Sequence, residues 1–181
     1  MLRYRIVPSR SELWAEARSS VRPIRVETTG FEGFLSVRVE NGQATLTVPS
    51  RIELAAERLK SGNGLLDAEL ARRIELGKHP RVVGEVLDVT SEKVKGALSF
   101  HGVTHAVEGR ATVRMLDEET LEVDGELTLD MRDFGLNPPK ILFLRVESEV
   151  RVRAKVVAVR DSRPSGTSAR DEPPSRTQEP R

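Results

Sequence analysis

The side chains best suited to metal binding or acid–base chemistry are the histidines His79, His101 and His105. His101 and His105 lie four positions apart; on a strand this separates them by roughly 13 Å, although Gly102 allows the chain to turn between them. A zinc site usually needs a further protein ligand, and none follows at a suitable spacing. We therefore expect no metal site. We interpret His101 as a turn residue bonded to the backbone, with contact to a ligand headgroup as the alternative.

The segment Arg132-Asp133-Phe134-Gly135 also invites a chemical interpretation. An arginine beside an aspartate, without a nucleophile or base in register, is more typical of an ion pair that shapes a turn. Phe134 is then expected to anchor the segment in the core, and Gly135 to allow a tight bend. With no cysteine and no recognisable serine–histidine–acid arrangement, an enzyme is the least favoured class. We expect no catalytic residue and no cofactor.

The composition is typical of an ordinary globular domain. The 181 residues include 29 basic and 28 acidic side chains spread along the chain, a pattern that gives no footprint for nucleic acid. Residues 1–8 reach arginines and a proline before any apolar stretch long enough for a signal peptide or a membrane span. We expect a cytoplasmic protein without a membrane span.

The composition changes near the C-terminus. Residues 161–181 are rich in proline, serine and charge, and alanine is their only aliphatic residue. Such a segment cannot bury enough apolar surface to offset the entropy of ordering it. We predict a folded domain over residues 1–160 and a disordered tail over residues 161–181.

Apolar residues recur at every second position along most of residues 1–160, as in strands with one packed face. Short connections such as Glu40-Asn41-Gly42 suit hairpins, and no regular alternation of strands and helices is present to build a parallel sheet. The pattern predicts a mainly β, antiparallel domain. The clearest rows are Leu13, Ala15 and Ala17; Phe31, Leu35 and Val37; Leu98 and Phe100; Ala111, Val113 and Met115; and Leu121, Val123, Leu127 and Leu129.

One segment departs from this period. Leu66, Leu70 and Ile74 recur at four-residue spacing between Asn63, a suitable N-cap, and Gly77, a suitable C-terminal stop. This spacing predicts one short amphipathic helix. Residues 52–60 combine alternation with helix-favouring residues, and we interpret them as strand.

Several positions in the inward-facing rows carry small residues where a solid core would have leucine or isoleucine. Glycines inside strands can mark bends in a closed sheet, or small residues can leave volume for a ligand; both interpretations stay open. An eight-stranded closed sheet is just wide enough to hold one ligand if its lining side chains are small. The small residues are Ala15, Ala17, Gly96, Gly109, Ala111, Gly125 and Ser148.

These segments resemble the YceI-like family in order and spacing along nearly the whole of residues 1–160. The resemblance implies a lipocalin-like, antiparallel eight-stranded β-barrel with one short helix alongside, and a ligand such as a long isoprenoid or another amphiphilic lipid. The matching segments are Tyr4-Arg5-Ile6-Val7-Pro8, Phe31-Glu32-Gly33, Ser61-Gly62-Asn63, Lys78-His79-Pro80, Ser99-Phe100-His101-Gly102-Val103-Thr104 and Arg132-Asp133-Phe134-Gly135.

Two features depart from the family pattern. Many members are exported and carry a histidine–serine pair near the start, where this chain has Arg10-Ser11 and no export signal. A second histidine that is common after the first strand also has no counterpart here. The resemblance therefore implies the class of ligand and not its identity.

The sequence thus predicts non-enzymatic binding, storage or transport of an apolar, isoprenoid-like or other lipid ligand. A ligand-free structural or protein-interaction module is the alternative, and a monomer and a homodimer are both open. We expect residues 137–140 to form a loop over one end of the barrel. The predicted ligand-binding residues are Leu13, Ala15, Ala17, Phe31, Leu35, Leu98, Phe100, His101, Ala111, Val113, Leu127 and Phe134.

Overall fold

The computed structural model describes residues 1–138, 140–141 and 144–162. Within them the chain is mainly β, with one α-helix and three short 3₁₀ turns. The elements are β1 (Leu2–Ile6), β2 (Glu12–Ser19), β3 (Ile24–Thr28), β4 (Phe31–Glu40), β5 (Gln43–Ala55), α1 (Gly64–Arg73), β6 (Arg81–Thr90), β7 (Lys93–Phe100), β8 (Val103–Met115), β9 (Thr120–Asp130), β10 (Lys140–Ile141) and β11 (Leu144–Arg160).

Eight strands close into an antiparallel ring in the order β1, β4, β5, β6, β7, β8, β9 and β11. The ring closes where β1 pairs with the end of β11, with Tyr4 opposite Arg160 and Ile6 opposite Ala158. Four of the eight neighbouring pairs in the ring are hairpins, namely β4–β5, β6–β7, β7–β8 and β8–β9, as the short polar connections in the sequence indicate. The prediction of an eight-stranded antiparallel barrel is confirmed.

The long strand β11 forms the seam of the barrel. One of its edges pairs with β9 from Glu149 to Val159. Two strands share its other edge: β1 pairs with the C-terminal end of β11, and β2 pairs with most of the remaining residues. β3 extends this branch and is joined to the segment after β5 by paired backbone hydrogen bonds between Glu27 and Lys60, of 2.9 and 3.0 Å. The branch therefore completes the wall in the half of the barrel that β1 does not reach.

Helix α1 begins where the sequence predicts. The Asn63 side chain accepts hydrogen bonds from the backbone N–H groups of Leu65 and Leu66, at 3.0 and 3.2 Å, and so caps the first turn. The helix ends at Arg73, before Gly77.

The prediction that residues 52–60 are strand is wrong beyond Ala55. β5 ends at Ala55, and Ala56–Arg58 form a 3₁₀ turn. β5 pairs with β6, which begins only at Arg81 because Pro80 has no N–H to donate. The Ala56 N–H instead donates to the Pro80 carbonyl at 2.8 Å, and no ladder partner remains for the next residues.

A compact apolar cluster fills the end of the barrel at which β1 closes the ring. Tyr4, Phe31 and Leu121 are completely buried at its centre. We call it the closed-end cluster; its members are Tyr4, Ile6, Phe31, Leu35, Val37, Leu46, Leu54, Leu121, Val123, Val156 and Ala158. Only part of the barrel interior is therefore solid core.

The segment that follows β11 lies beside β1. The Asp161 N–H donates to the Arg3 carbonyl at 2.8 Å. Apart from Asp161 and Ser162, the predicted tail lies outside the described residues. In the part of the chain that the structure describes, no helix has the length and apolar character needed to cross a membrane.

Candidate functional site

Beyond the closed-end cluster, the barrel encloses a cavity of about 660 Å³. Five members of the cluster, Leu35, Leu46, Leu54, Val123 and Val156, also form the floor of this cavity. The wall comes from inward-facing residues of the ring and of the β2–β3 branch. Leu66 and Leu70 of α1 and Ile74, the C-cap residue directly after it, border the cavity as well, because the four-residue spacing puts them on one face. The helix therefore turns its apolar face to the cavity.

One side of the cavity wall carries a belt of three small residues that ends at Leu13. Ala111 pairs with Gly125, Gly125 with Ala154, and Ala154 with Leu13 across four neighbouring strands. Directly opposed residues share one face of a sheet, and all four border the cavity. A further inward glycine, Gly84, lies across the barrel. Small side chains along this belt leave space that leucines would fill.

The glycines divide between the two interpretations that the sequence left open. A Cβ atom on Gly96 or Gly109 would lie only 2.6 or 2.5 Å from a backbone oxygen of the next strand, so these glycines allow close backbone approach. A Cβ atom on Gly125 would come no nearer than 3.8 Å to its closest neighbour, and one on Gly84 would meet nothing within 4 Å. Gly84 and Gly125 therefore contribute volume to the cavity.

The charged residues at the edge of the cavity are already paired. Glu69 of α1 accepts hydrogen bonds from Arg72 and Arg73, at 2.8 and 2.6 Å; these hydrogen bonds lower the pKa of its carboxyl group. Arg51 pairs with Glu53 and Glu85. Arg110 pairs with Glu92 at 2.9 Å, and Glu126 with Arg153 at 3.3 Å. The edge of the cavity is therefore polar, but its positive and negative side chains largely neutralise each other.

Most of the predicted ligand-binding residues border the cavity. They lie on β2, β4, β7, β8 and β9, on the face that the period-two rows indicate. These residues are Leu13, Ala15, Ala17, Leu35, Leu98, Phe100, Ala111 and Leu127.

Four predicted residues lie elsewhere. Phe31 is fully buried within the closed-end cluster, and Val113 packs against the same cluster, because both lie too near the solid end of the barrel. Phe134 packs against the Phe100 ring with 6.0 Å between ring centroids, and it does not border the cavity. His101 lies in the turn between β7 and β8 and makes its contacts outside the cavity.

The expected backbone bond of His101 is present. Its Nδ1 lies 2.8 Å from the Phe134 carbonyl oxygen. His105 is not a partner of His101. The Nδ1 of His105 lies 2.9 Å from the carbonyl oxygen of Ala106. The side chains that do converge on His101 are Glu75 and His79. Sequence reasoning missed this convergence.

The expected Arg132–Asp133 ion pair is replaced by another. Arg132 pairs with Asp130 at 2.6 Å, because the Asp130 carboxylate also caps the Arg132 N–H at the start of the 3₁₀ turn. These bonds hold the pKa of the Asp130 carboxyl far below its usual range. Asp133 points instead toward His105, 4.0 Å from its Nδ1. Phe134 is completely buried and Gly135 is left-handed with φ of 71°, both as expected.

The loop after this turn reaches the edge of the cavity, where Gly135, Leu136 and Asn137 border it. Pro139, in the middle of the predicted covering loop, lies outside the described residues. Sequence reasoning also missed wall residues from β3 and β6. Ile24 and Val26 alternate along β3, so the period-two signal was present but too short to stand out.

Comparisons with known proteins agree with this architecture. The sequence matches the YceI-like domain over residues 4–158. BcnA of Burkholderia cenocepacia is similar in structure, with a TM-score of 0.68 and 16% identity over 84% of this chain and 99% of that one. A comparison with curated proteins gives no significant sequence match.

Two further structures share the fold. A polyisoprenoid-binding domain from Saccharophagus degradans, described as implicated in plant cell wall breakdown, has a TM-score of 0.69 and 12% identity over 89% of this chain and 100% of its own. The Campylobacter jejuni YceI protein has a TM-score of 0.55 and 13% identity over 71% of this chain and 81% of its own. At these identities the likeness is one of fold, whereas the sequence match spans most of the chain. The family expected from the motifs is confirmed: the chain belongs to the YceI-like domain family.

Proposed function

We propose that this protein binds and carries a long apolar molecule, isoprenoid-like or another lipid, in its barrel cavity. The observation that carries the proposal is a cavity of about 660 Å³ with predominantly aliphatic walls. Ligand sites of roughly 300–1,000 Å³ bury most of the surface of the molecules they hold. The description of the Saccharophagus degradans domain as polyisoprenoid-binding supports the same class of ligand.

Apolar burial provides the affinity in this proposal. Each buried methylene contributes about 0.8 kcal/mol, so ten of them contribute roughly 8 kcal/mol before the cost of ordering the ligand. The charged side chains at the cavity edge already pair with each other, as Arg110 does with Glu92, so a charged ligand group is not required to neutralise them. We therefore propose loose selectivity for the tail and a preference for a neutral or weakly polar head.

We propose that the ligand leaves chemically unchanged. The hydroxyl groups nearest the cavity are held in structural hydrogen bonds: Ser50 Oγ donates to the Thr47 carbonyl at 2.7 Å, and Ser61 Oγ lies 2.7 Å from a carboxylate oxygen of Asp67. A serine used as a nucleophile needs an adjacent base to accept its proton. Burial raises the pKa of the Asp67 carboxyl, but hydrogen bonds from Ser61 lower it on balance, so this carboxylate is a poor base for that hydroxyl. These hydroxyls instead fix a turn of β5 and the start of α1.

Native mass spectrometry of the untagged protein as purified tests this function. A stoichiometric extra mass is expected, and extraction with organic solvent should remove it as one lipid class. Protein stripped in this way is then incubated separately with solanesol (a linear polyprenol), ubiquinone and palmitate. A bare chain mass after purification and after all three incubations would reject the carrier function and favour a ligand-free interaction module.

A further inference from the structure

Three metal-ligating side chains meet beside the barrel, outside the cavity: Glu75, His79 and His101. One ligand atom from each lies within 4.8 Å of the other two. Glu75 and His79 belong to the turn that follows α1, whereas His101 begins the turn between β7 and β8. We call these residues the Glu75 cluster. It joins two elements that are distant in sequence.

The hydrogen bond of His101 fixes how its ring is used. A carbonyl oxygen only accepts, so the Nδ1 that lies 2.8 Å from the Phe134 oxygen is the donor. In the neutral ring, Nε2 then carries a lone pair. That nitrogen is buried and has no hydrogen-bond partner among the described residues. It faces Oε2 of Glu75 at 3.3 Å, and two acceptors this close repel each other unless a cation or proton lies between them.

The backbone is strained at two of the three positions. Glu75 has φ of 49° and His101 has φ of 51°, a left-handed conformation that glycine and asparagine adopt more readily. Gly102 makes room for the third member, because a Cβ atom there would lie 2.6 Å from the His79 ring. Strain of this kind is typical of positions whose side chains have a function.

We infer that Glu75, His79 and His101 form a binding site for one Zn²⁺ ion, with a fourth coordination position open to water. Two imidazoles and a carboxylate are a donor set that zinc accepts, with bonds of roughly 2.0–2.2 Å. Tetrahedral ligands at that bond length lie about 3.4 Å apart, close to the 3.3 Å between His101 Nε2 and Glu75 Oε2.

The surroundings suit an ion at this position. The carbonyl that holds the Nδ1 of His101 is the kind of outer partner that fixes the tautomer of zinc-bound histidines. Glu75 uses its other oxygen, Oε1, to accept a hydrogen bond from Lys78 at 2.5 Å, which leaves Oε2 directed at the cluster. The His79 and His101 rings meet edge to face, with 5.3 Å between their centroids.

A zinc ion here would tie the C-terminal turn of α1 to the β7–β8 turn. Ile74, immediately before Glu75, borders the cavity. Zinc would therefore hold the helix against the barrel and steady one edge of the cavity. This role does not depend on which ligand, if any, the cavity holds.

The test uses the untagged full-length chain after treatment with a chelator. Titration with Zn²⁺ in a calorimeter should give one ion per chain, and His79→Ala or His101→Ala should weaken binding at least tenfold. His105→Ala is the matched control, because His105 is the remaining histidine and lies outside the cluster. It should bind as the parent does. Circular dichroism and thermal melts in the chelator establish that each variant is folded.

A spectroscopic measurement on the unchanged sequence keeps the inference testable if a variant does not fold. In histidine-ring NMR spectra, Zn²⁺ should shift the His79 and His101 signals and leave those of His105 in place. Co²⁺ should give the intense visible absorption of a tetrahedral site. Failure to bind one Zn²⁺, or shifts that are equal at all three histidines, would overturn the inference and leave the cluster as a structural ion pair.

Discussion

Replacing Gly84 with leucine should weaken ligand binding more than it affects folding. Gly84 borders the cavity, and a Cβ atom built there meets nothing within 4 Å. Its cross-strand neighbours Ile52 and Leu98 also border the cavity, so a leucine at position 84 would extend into the same space. The change needs no movement of the backbone.

The size of the effect follows from the volume added. Four new carbon atoms, at roughly 30 Å³ each in condensed matter, occupy a little over a sixth of a cavity of about 660 Å³. A ligand that fills the cavity would lose burial of about four methylene groups. At about 0.8 kcal/mol each, this is roughly 3 kcal/mol, or a dissociation constant raised about 200-fold.

The assay is titration of solanesol into delipidated protein, read by native mass spectrometry, with thermal melts in parallel. Gly64→Leu is the matched control: it makes the same substitution at an exposed glycine that also has open space, outside the cavity. It should bind as the parent does. Equal affinity of the Gly84→Leu variant and the parent, at equal stability, would refute the assignment of this cavity as the ligand site.

Three further predictions concern stability. Tyr4→Phe should raise the free energy of unfolding by about 1 kcal/mol in urea titrations, because the buried Tyr4 hydroxyl has no partner among the described residues; a loss of stability would contradict this. Glu122 has its pKa lowered mainly by its hydrogen bond from Arg114. The ionised Glu122 therefore contributes fully to stability above the usual glutamate pKa, and this contribution is lost as the pH falls through the lower pKa of the folded state. In thermal melts between neutral and strongly acid pH, the melting temperature of Glu122→Gln should depend less on pH than that of the parent. Identical pH dependence would refute this contribution of Glu122. Gly109→Ala should destabilise the fold by about 1–3 kcal/mol, because its Cβ would lie 2.5 Å from a backbone oxygen, whereas Gly125→Ala should be nearly neutral; comparable melting temperatures would contradict this distinction.

The barrel was predictable because its determinants are local. Alternation along rows such as Leu13, Ala15 and Ala17 reports which face of a strand is packed. The register then places these three residues opposite Ala154, Val152 and Val150 of β11. Small residues in those rows indicated a cavity. They did not reveal which glycines add volume, because that depends on the approach of atoms from neighbouring strands. A Cβ atom on Gly109 would meet a backbone oxygen at 2.5 Å and the Leu127 Cβ at 2.9 Å, whereas one on Gly125 would meet nothing nearer than 3.8 Å.

The polar sites were harder to predict because their partners are set by the tertiary fold. Nothing in the spacing of Glu75, His79 and His101 shows that the turn after α1 meets the β7–β8 turn. A signal was nevertheless present, because His79 and His101 both lie in turn segments that match the family. The partner of Arg132 depended on finer geometry, since the cap at the start of the 3₁₀ turn placed Asp130 nearer than Asp133.

The divided edge of β11 has a consequence for synthesis in the cell. β1 can pair with β4 early, but its other edge waits for residues 158–160, which at about 5–20 residues per second emerge roughly 8–30 s later. Arg3 and Arg5 alternate along β1, and charges on an edge strand discourage pairing with other chains during such a delay. Substitutions that weaken β11 are therefore expected to lower the yield of folded protein during translation before they alter the finished barrel.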